Sequence, residues 1–220
     1  GDVEEVLRAA DAAMYAAKHA GGDGLAYFDA SMNAAAEERR ALRERLGAAI
    51  RDREFVMHYQ PVVRVTSGEL WGFEALLRWQ RDGRCVAAGD FVPFAEESGQ
   101  MRELGMETWR LMRDDLATLQ DAGYGQYTVS INMSVMQLED RLMAELVNHW
   151  PTPGGLRGVT IEVLESAFLP SRPHALRMIR ELADLGAWIA VDDYGSGFSN
   201  MALLANLSPD FLKLDRSFLT

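Results

Sequence analysis

The chain has 220 residues, is 48% hydrophobic and carries a formal net charge of -11. That length suffices for one sizeable core plus part of a second domain, and the acidic balance argues against binding DNA or RNA backbones, which requires clustered Lys and Arg. The single cysteine, Cys85, excludes an internal disulfide and a thiolate metal cluster. No window approaches the roughly 18 apolar residues of a membrane helix, and Gly1-Asp2-Val3-Glu4-Glu5 carries no signal pattern. The expected location is cytoplasmic, either as a soluble protein or as the cytoplasmic part of a membrane-anchored one.

Residues 2–20 place Val6, Leu7, Ala10, Met14 and Ala17 at helical spacing and stop at Gly21-Gly22, which predicts an amphipathic helix. A core-facing helix with nothing before it reads as the last helix of a preceding domain, with Leu25-Ala26-Tyr27-Phe28 as that domain's final strand. Gly21-Gly22-Asp23-Gly24 lacks the Lys-Ser/Thr of a phosphate loop. From Ala34 to Asp52 a stripe of Leu42, Leu46, Ala49 and Ile50 among charged residues predicts a connecting helix, whose exposed face is a plausible dimer surface.

Short strands and helices then alternate. Strands are expected at Phe55–Tyr59, Leu70–Trp79, Tyr127–Met133, Gly158–Leu164, Trp188–Val191 and Phe211–Asp215. Helices are expected at Phe91–Glu97 with Asp90 as N-cap, Met101–Gln120, Ser134–Trp150 with the serine as cap, Pro173–Leu185 with proline in its first turn, and Ala202–Leu207. This β-α winding implies an α/β fold with a parallel sheet, either a doubly wound sheet or a (β/α)8 barrel with about six of its strands present.

Polar residues interrupt these apolar strands near their carboxyl ends. Asp192 and Asp193 close Trp188-Ile189-Ala190-Val191 and precede Gly195 and Gly197; Glu74, Asn132, Glu162 and Lys213 occupy comparable places, and Asp215 shares a strand face with Lys213. Each has an ordinary explanation alone, such as a turn opened by Asp193 or a lysine guarding an edge strand. Together, on successive parallel strands, they converge on one end of a barrel, where carboxylates stay buried only if paired or metal-bound. Oxygen donors without His or Cys suit Mg²⁺ or Mn²⁺. His19, His58, His149 and His174 have no ligand spacing and read as ordinary surface or core residues.

The blocks H-Y-Q-P, G-F-E-A-L-L-R-W, F-V-P-F-A-E-E-S-G, S-I-N-M-S, I-E-V-L-E-S, V-D-D-Y-G-S-G-F-S-N and L-K-L-D-R-S-F-L, in that order over residues 55–219, resemble the EAL-domain cyclic di-GMP phosphodiesterases. A-D-A-A-M-Y-A-A-K and Tyr27-Phe28 resemble the end of a GGDEF diguanylate cyclase domain, giving expected divisions at 1–30, 31–52 and 53–220. The resemblance implies a modified TIM barrel that linearises cyclic di-GMP to pGpG with two divalent metals. Two such ions about 3.5 to 4 Å apart stabilise the attacking and leaving oxygens of an in-line displacement.

By the same resemblance, Glu74, Asn132, Glu162 and Asp192 match ligands of one metal, and Asp192 with Asp193 those of a second. Lys213 matches the lysine that positions the attacking water and, with Glu74 and Asp193, forms the expected catalytic set. Gln60, Leu77, Arg78, Pro93 and Asp215 are expected substrate contacts, Arg78 through its guanidinium fork. Glu165 is expected to support the loop that contains Gly195 and Gly197. Departures from the family pattern are Leu164 in place of Thr, and mild exchanges at Tyr194, Ser196 and Phe198.

The family continues beyond the position of Thr220 with two further strands and a metal-site glutamate, so the chain is expected to be a fragment of a GGDEF-EAL protein. Alone it would expose sheet edges and aggregate. The expected partners are cyclic di-GMP and a second copy in a homodimer, with GGDEF and sensor domains upstream and no nucleic-acid polymer. A non-catalytic cyclic di-GMP-binding module is the alternative reading, and a dimerisation scaffold a third.

Overall fold

The computed structural model describes residues 6, 10, 13–14, 27–28, 30–140, 155–169, 171–194, 209–215 and 218. The chain separates into two compact units, Gly1–Asp52 and Arg53–Thr220. In the first, residues 6, 10, 13 and 14 are helical as expected, but Val6 and Met14, assigned to the apolar face, are exposed and Ala13 is buried instead. Tyr27 and Phe28 lie in irregular, exposed backbone, so no strand forms at these two positions; Gly21 to Ala26, with His19, fall outside the described residues. Helix α1 (Ala30–Arg51) starts four residues before the expected point. Its stripe is as read, with Leu46 and Ala49 buried and Leu42 and Ile50 partly so.

The second unit contains β1 (Phe55–Val63), β2 (Leu70–Arg81), β3 (Arg84–Ala87), α2 (Ala88–Ser98), α3 (Met101–Asp121), β4 (Thr128–Asn132), α4 (Val135–Leu138), β5 (Val159–Leu164), a 3-10 turn (Glu165–Phe168), α5 (Pro173–Asp184), β6 (Trp188–Tyr194) and β7 (Phe211–Leu214). Six strands lie side by side in the order β1-β2-β4-β5-β6-β7. From β2 onward neighbours along this line are parallel, whereas β1 runs antiparallel to β2. Hydrophobic periodicity carries no direction, which is why the expected all-parallel winding missed β1.

Strand β3 was also unforeseen. It folds back on the far end of β2, beyond the part paired with β4, through a two-residue loop in which Asp82 and Gly83 have φ of 49° and 73°. An Asp-Gly pair with both residues left-handed is the favoured tight hairpin connection. Two helix expectations are corrected as well. Helix α2 starts at Ala88 with Ala87 as N-cap and no side-chain bond, so Asp90 sits inside the first turn, where its charge favours the amide end of the helix. Ser134 does cap α4, in a reciprocal capping box with Gln137, but the helix stops at Leu138. Residues 141–150, including His149, and the expected helix at 202–207 fall outside the described residues.

The sheet is strongly curled. In a flat sheet β2 and β6 would stand three strand spacings apart, about 14 Å, and β2 and β7 four, about 19 Å. Yet the Trp71 ring on β2 stacks on Trp188 of β6 at 6.0 Å and meets Phe211 of β7 at 5.2 Å. A β-bulge at the start of β2, where the register with β1 slips between Val62 and Val63, lets Trp71 join the concave side. The convex side is apolar: Ala75, Leu77 and Trp79 of β2, Val129 and Ile131 of β4, Ile161 and Val163 of β5, and Ile189 and Val191 of β6 are buried. Helix α5 supplies Ala175, Met178, Ile179 and Leu182 to the same core. The result is a curled, helix-backed, mostly parallel α/β sheet, the arrangement of a TIM-type barrel.

Close strand approach fixes the residue type at Gly72. A Cβ there would stand 2.2 Å from Thr128 Oγ1 and 2.5 Å from the Thr128 carbonyl oxygen, and the carbonyl cannot move without opening the β2-β4 ladder. Gly72→Val is expected to destabilise the chain by about 1–3 kcal/mol or more, the usual cost of overpacking, read as a lowered midpoint in thermal melts.

Candidate active site

Strand parity decides which side chains line the concave face. Glu74 is directly opposite Gln60 on β1 and level with Ser130 on β4, and Asn132 is level with Glu162 on β5. Leu164 is level with Asp192 on β6, so all of these point to one side of the sheet. Lys213, two residues after Phe211 on β7, joins them.

The Lys213 ammonium lies at the centre of this set. Its Nζ is 2.5 Å from Glu162 Oε2, 3.4 Å from Asp192 Oδ1 and 3.5 Å from Glu74 Oε1. The Asn132 amide nitrogen donates to Glu74 Oε1 at 3.2 Å. Three strands, β4, β5 and β6, lie between β2 and β7 along the sheet line, so these contacts exist only because the sheet curls.

Burial grades the carboxylates. Glu162 is 4% exposed, Glu74 and Asp192 about a fifth, and Lys213 about a third. Burial pushes the Glu162 carboxyl above the ordinary glutamate range; hydrogen bonds from Lys213 and from the Ser130 hydroxyl offset part of that rise. For Lys213, burial alone would lower the ammonium's pKa, but Glu162, Asp192 and Glu74 together outweigh it and hold the lysine above its usual value. When all three acids are ionised, one ammonium leaves a doubly negative centre, a potential that attracts a divalent cation.

Asp192 and Asp193 sit at the carboxyl end of their strand, as expected, and within it. Strand β6 runs through both to Tyr194, and its register with β7 breaks between Val191 and Tyr194. Asp193 has a left-handed φ of 53°, a strained conformation that Asp tolerates better than most residues. Its amide donates to Asp192 Oδ1 at 3.0 Å, which fixes the Asp192 carboxylate while the Asp193 side chain is exposed.

The expected substrate contacts are placed unevenly. Gln60 is exposed beside Glu74. Leu77 must be corrected: it is buried on the convex face with Ala75 and Trp79, because an odd offset from Glu74 reverses its direction, and Leu76 takes the concave side. Arg78 shares the Glu74 face and donates from Nη1 to the Leu77 carbonyl at 2.9 Å. Pro93 is exposed inside α2, and Asp215 is half-buried just past β7. Glu165 is half-buried in the 3-10 turn; Gly195 and Gly197, with the loop they belong to, lie outside the described residues.

Ser130 was missed by the sequence reading, although its place two residues before Asn132 on an alternating strand put it on the same face. His58 and His174 are exposed, as is Cys85. No described helix is long and apolar enough to cross a membrane.

The donor set fits a hard cation, since Glu74, Glu162, Asp192 and Asn132 offer oxygens from four strands. Among the described residues, however, no three acidic, His or Cys side chains stand arranged around a position for an ion; the carboxylates gather on Lys213 instead.

A curled α/β sheet with an acid-and-lysine centre at the carboxyl ends of its parallel strands defines a TIM-type barrel protein with a site in the usual place for that class. The EAL domain family matches residues 41–220, and the chain belongs to it. The bifunctional diguanylate cyclase/cyclic di-GMP phosphodiesterase MucR of Pseudomonas aeruginosa is 35% identical over 225 residues, covering 98% of this chain and 32% of MucR. The cyclic di-GMP phosphodiesterase NbdA of the same species is 31% identical over 221 residues, 98% of this chain and 28% of NbdA. The structure of the PaMucR phosphodiesterase in complex with c-di-GMP superposes with a TM-score of 0.69 at 30% identity, over 81% of this chain and 74% of that one. The chain thus spans about a third or less of the length of these curated relatives.

Proposed function

We propose that the chain carries the catalytic centre of a cyclic di-GMP phosphodiesterase that opens the dinucleotide to linear pGpG with Mg²⁺ or Mn²⁺. The observation that carries this reading is the convergence of Glu74, Asn132, Glu162, Asp192 and Lys213 within hydrogen-bond or ion-pair distance, from five strands of a family whose named relatives are cyclic di-GMP phosphodiesterases. When bound, the divalent cations supply Lewis-acid polarisation of the phosphodiester.

The chain's own groups do the rest. Glu74, Asn132, Glu162 and Asp192 would hold one cation, and Asp192 with Asp193 a second. Lys213, within reach of three of these acids, is positioned to orient the attacking water. Arg78 on the same face offers a guanidinium fork to a phosphate once it leaves the Leu77 carbonyl. Leu76 and Gln60 border it and would contact the base or ribose; Pro93 and Asp215 would complete the rim. Glu165 would support the loop after Asp193. The wider assembly is part of the same proposal: a homodimer in the cytoplasm, with residues 1–30 ending a GGDEF-type domain, 31–52 connecting and 53–220 forming the EAL-type unit.

Incubation of the full-length protein that carries these residues with cyclic di-GMP and Mn²⁺ is expected to yield pGpG by chromatography, and a chelator is expected to stop it. Binding of cyclic di-GMP with no product at saturating metal would instead assign a receptor role.

A further inference from the structure

We propose that Lys213 is a built-in counter-cation that competes with the divalent metal for Glu162, so that this one residue sets metal affinity in addition to any part it takes in the reaction. The inference rests on the metal-dependent reading above and concerns the step before chemistry.

Three observations carry it. A single Nζ lies 2.5 Å from Glu162, 3.4 Å from Asp192 and 3.5 Å from Glu74, so it contacts all three carboxylates expected to bind the first metal. Those carboxylates come from three different strands, β5, β6 and β2, and the ammonium is the group that all three share. Glu162 is almost wholly buried, and an ionised carboxylate held there needs a cation or hydrogen-bond donors beside it.

The consequence follows from charge and reach. A divalent ion taking Glu162 as ligand would sit against a lysine already bonded to the same oxygens, and like charges at such separations repel strongly. Lysine is a point charge on a flexible four-carbon stem, so it can withdraw from Glu162 while remaining near Asp192 or Glu74. Metal uptake is then an exchange of one cation for another, and the measured affinity is weaker than the carboxylates alone would give. The benefit is a centre that keeps its acids gathered and charge-compensated before metal arrives.

Calorimetric titration of the full 220-residue chain with Mn²⁺ tests this. Lys213→Met and Lys213→Gln should each bind Mn²⁺ more tightly than the parent, by about tenfold, while Lys213→Arg, which keeps the charge, should return affinity to near the parent value. In thermal melts without metal, Lys213→Met should unfold at a lower temperature than the parent, and Mn²⁺ should close the gap. Two neutral variants are included so that poor folding of one does not decide the matter. Equal or weaker Mn²⁺ binding by the neutral variants would overturn this inference alone. An absence of Mn²⁺ binding in the parent and all variants would overturn the metal-dependent reading and this inference with it. Tight binding by the neutral variants, with a parent that binds Mn²⁺ but makes no pGpG, would uphold the inference and defeat only the hydrolytic assignment.

Discussion

Glu162→Gln is expected to lower cyclic di-GMP hydrolysis by more than about 100-fold at saturating Mn²⁺, since loss of groups that merely support metal ligands already costs 10–100-fold, while changing the metal-free melting temperature little. Glutamine has nearly the same shape and still offers an oxygen to Lys213 and Ser130, so the packing around β5 is kept. Stability receives opposing contributions. The substitution removes the cost of burying a carboxylate at a 4% exposed position and also removes the charge facing Lys213, which retains Asp192 and Glu74. What is lost without compensation is the negative charge that a divalent cation requires. Glu107 provides the control: it is another buried glutamate, 8% exposed, paired with Arg110 at 2.6 Å on α3. Glu107→Gln should leave turnover per folded molecule unchanged. Activity is read as pGpG formation and stability as the thermal midpoint; full activity in Glu162→Gln would remove this residue from the centre.

The acids' strand positions were readable because parallel strands buried on both faces are apolar, and a charged residue inside one is conspicuous. Glu162 between Ile161 and Val163 stands out for that reason, and Lys213 between Leu212 and Leu214 stands out as a charge inside an apolar run. Which oxygen meets which nitrogen was not readable, because the Lys213 contacts join strands β7, β6, β5 and β2 through the curl of the sheet. The Leu77 assignment failed on parity, a rule available from Glu74 alone, and the β3 hairpin failed although Asp82-Gly83 signalled it. The direction of β1 and the bulge that turns Trp71 inward depend on tertiary pairing and leave no local trace. Asp193 is intermediate: adjacent acids before a Gly-x-Gly run announced an unusual backbone, but its left-handed φ within a strand that continues to Tyr194 did not follow.

Trp79→Ala is expected to cost about 3–5 kcal/mol, the range for truncating a fully buried aromatic residue. Trp79 is 1% exposed on the convex face of β2, stacks on Phe55 at 5.8 Å and meets Phe91 edge-on at 5.9 Å, so one side chain joins β1, β2 and α2. Its indole Nε1 also donates to Glu54 Oε2 at 2.9 Å. Trp79→Phe separates the two contributions: it keeps most of the apolar contact and removes the donor, so its cost should fall near the about 1.5–3 kcal/mol of one hydrogen bond to a charged group. The position also tests how the two faces of β2 are coupled. Glu74 and Arg78 project from the concave face of this strand, and Arg78 immediately precedes Trp79. If the core holds β2 in place for the site, Trp79→Ala should raise the KM for cyclic di-GMP more than Trp79→Phe does, even below both melting transitions. Chemical denaturation gives the stability differences, and steady-state kinetics at a temperature where both variants are folded gives the coupling. An unchanged KM in Trp79→Ala would mean that pairing with β1 and β4 alone fixes the strand, and that the aromatic core serves only stability.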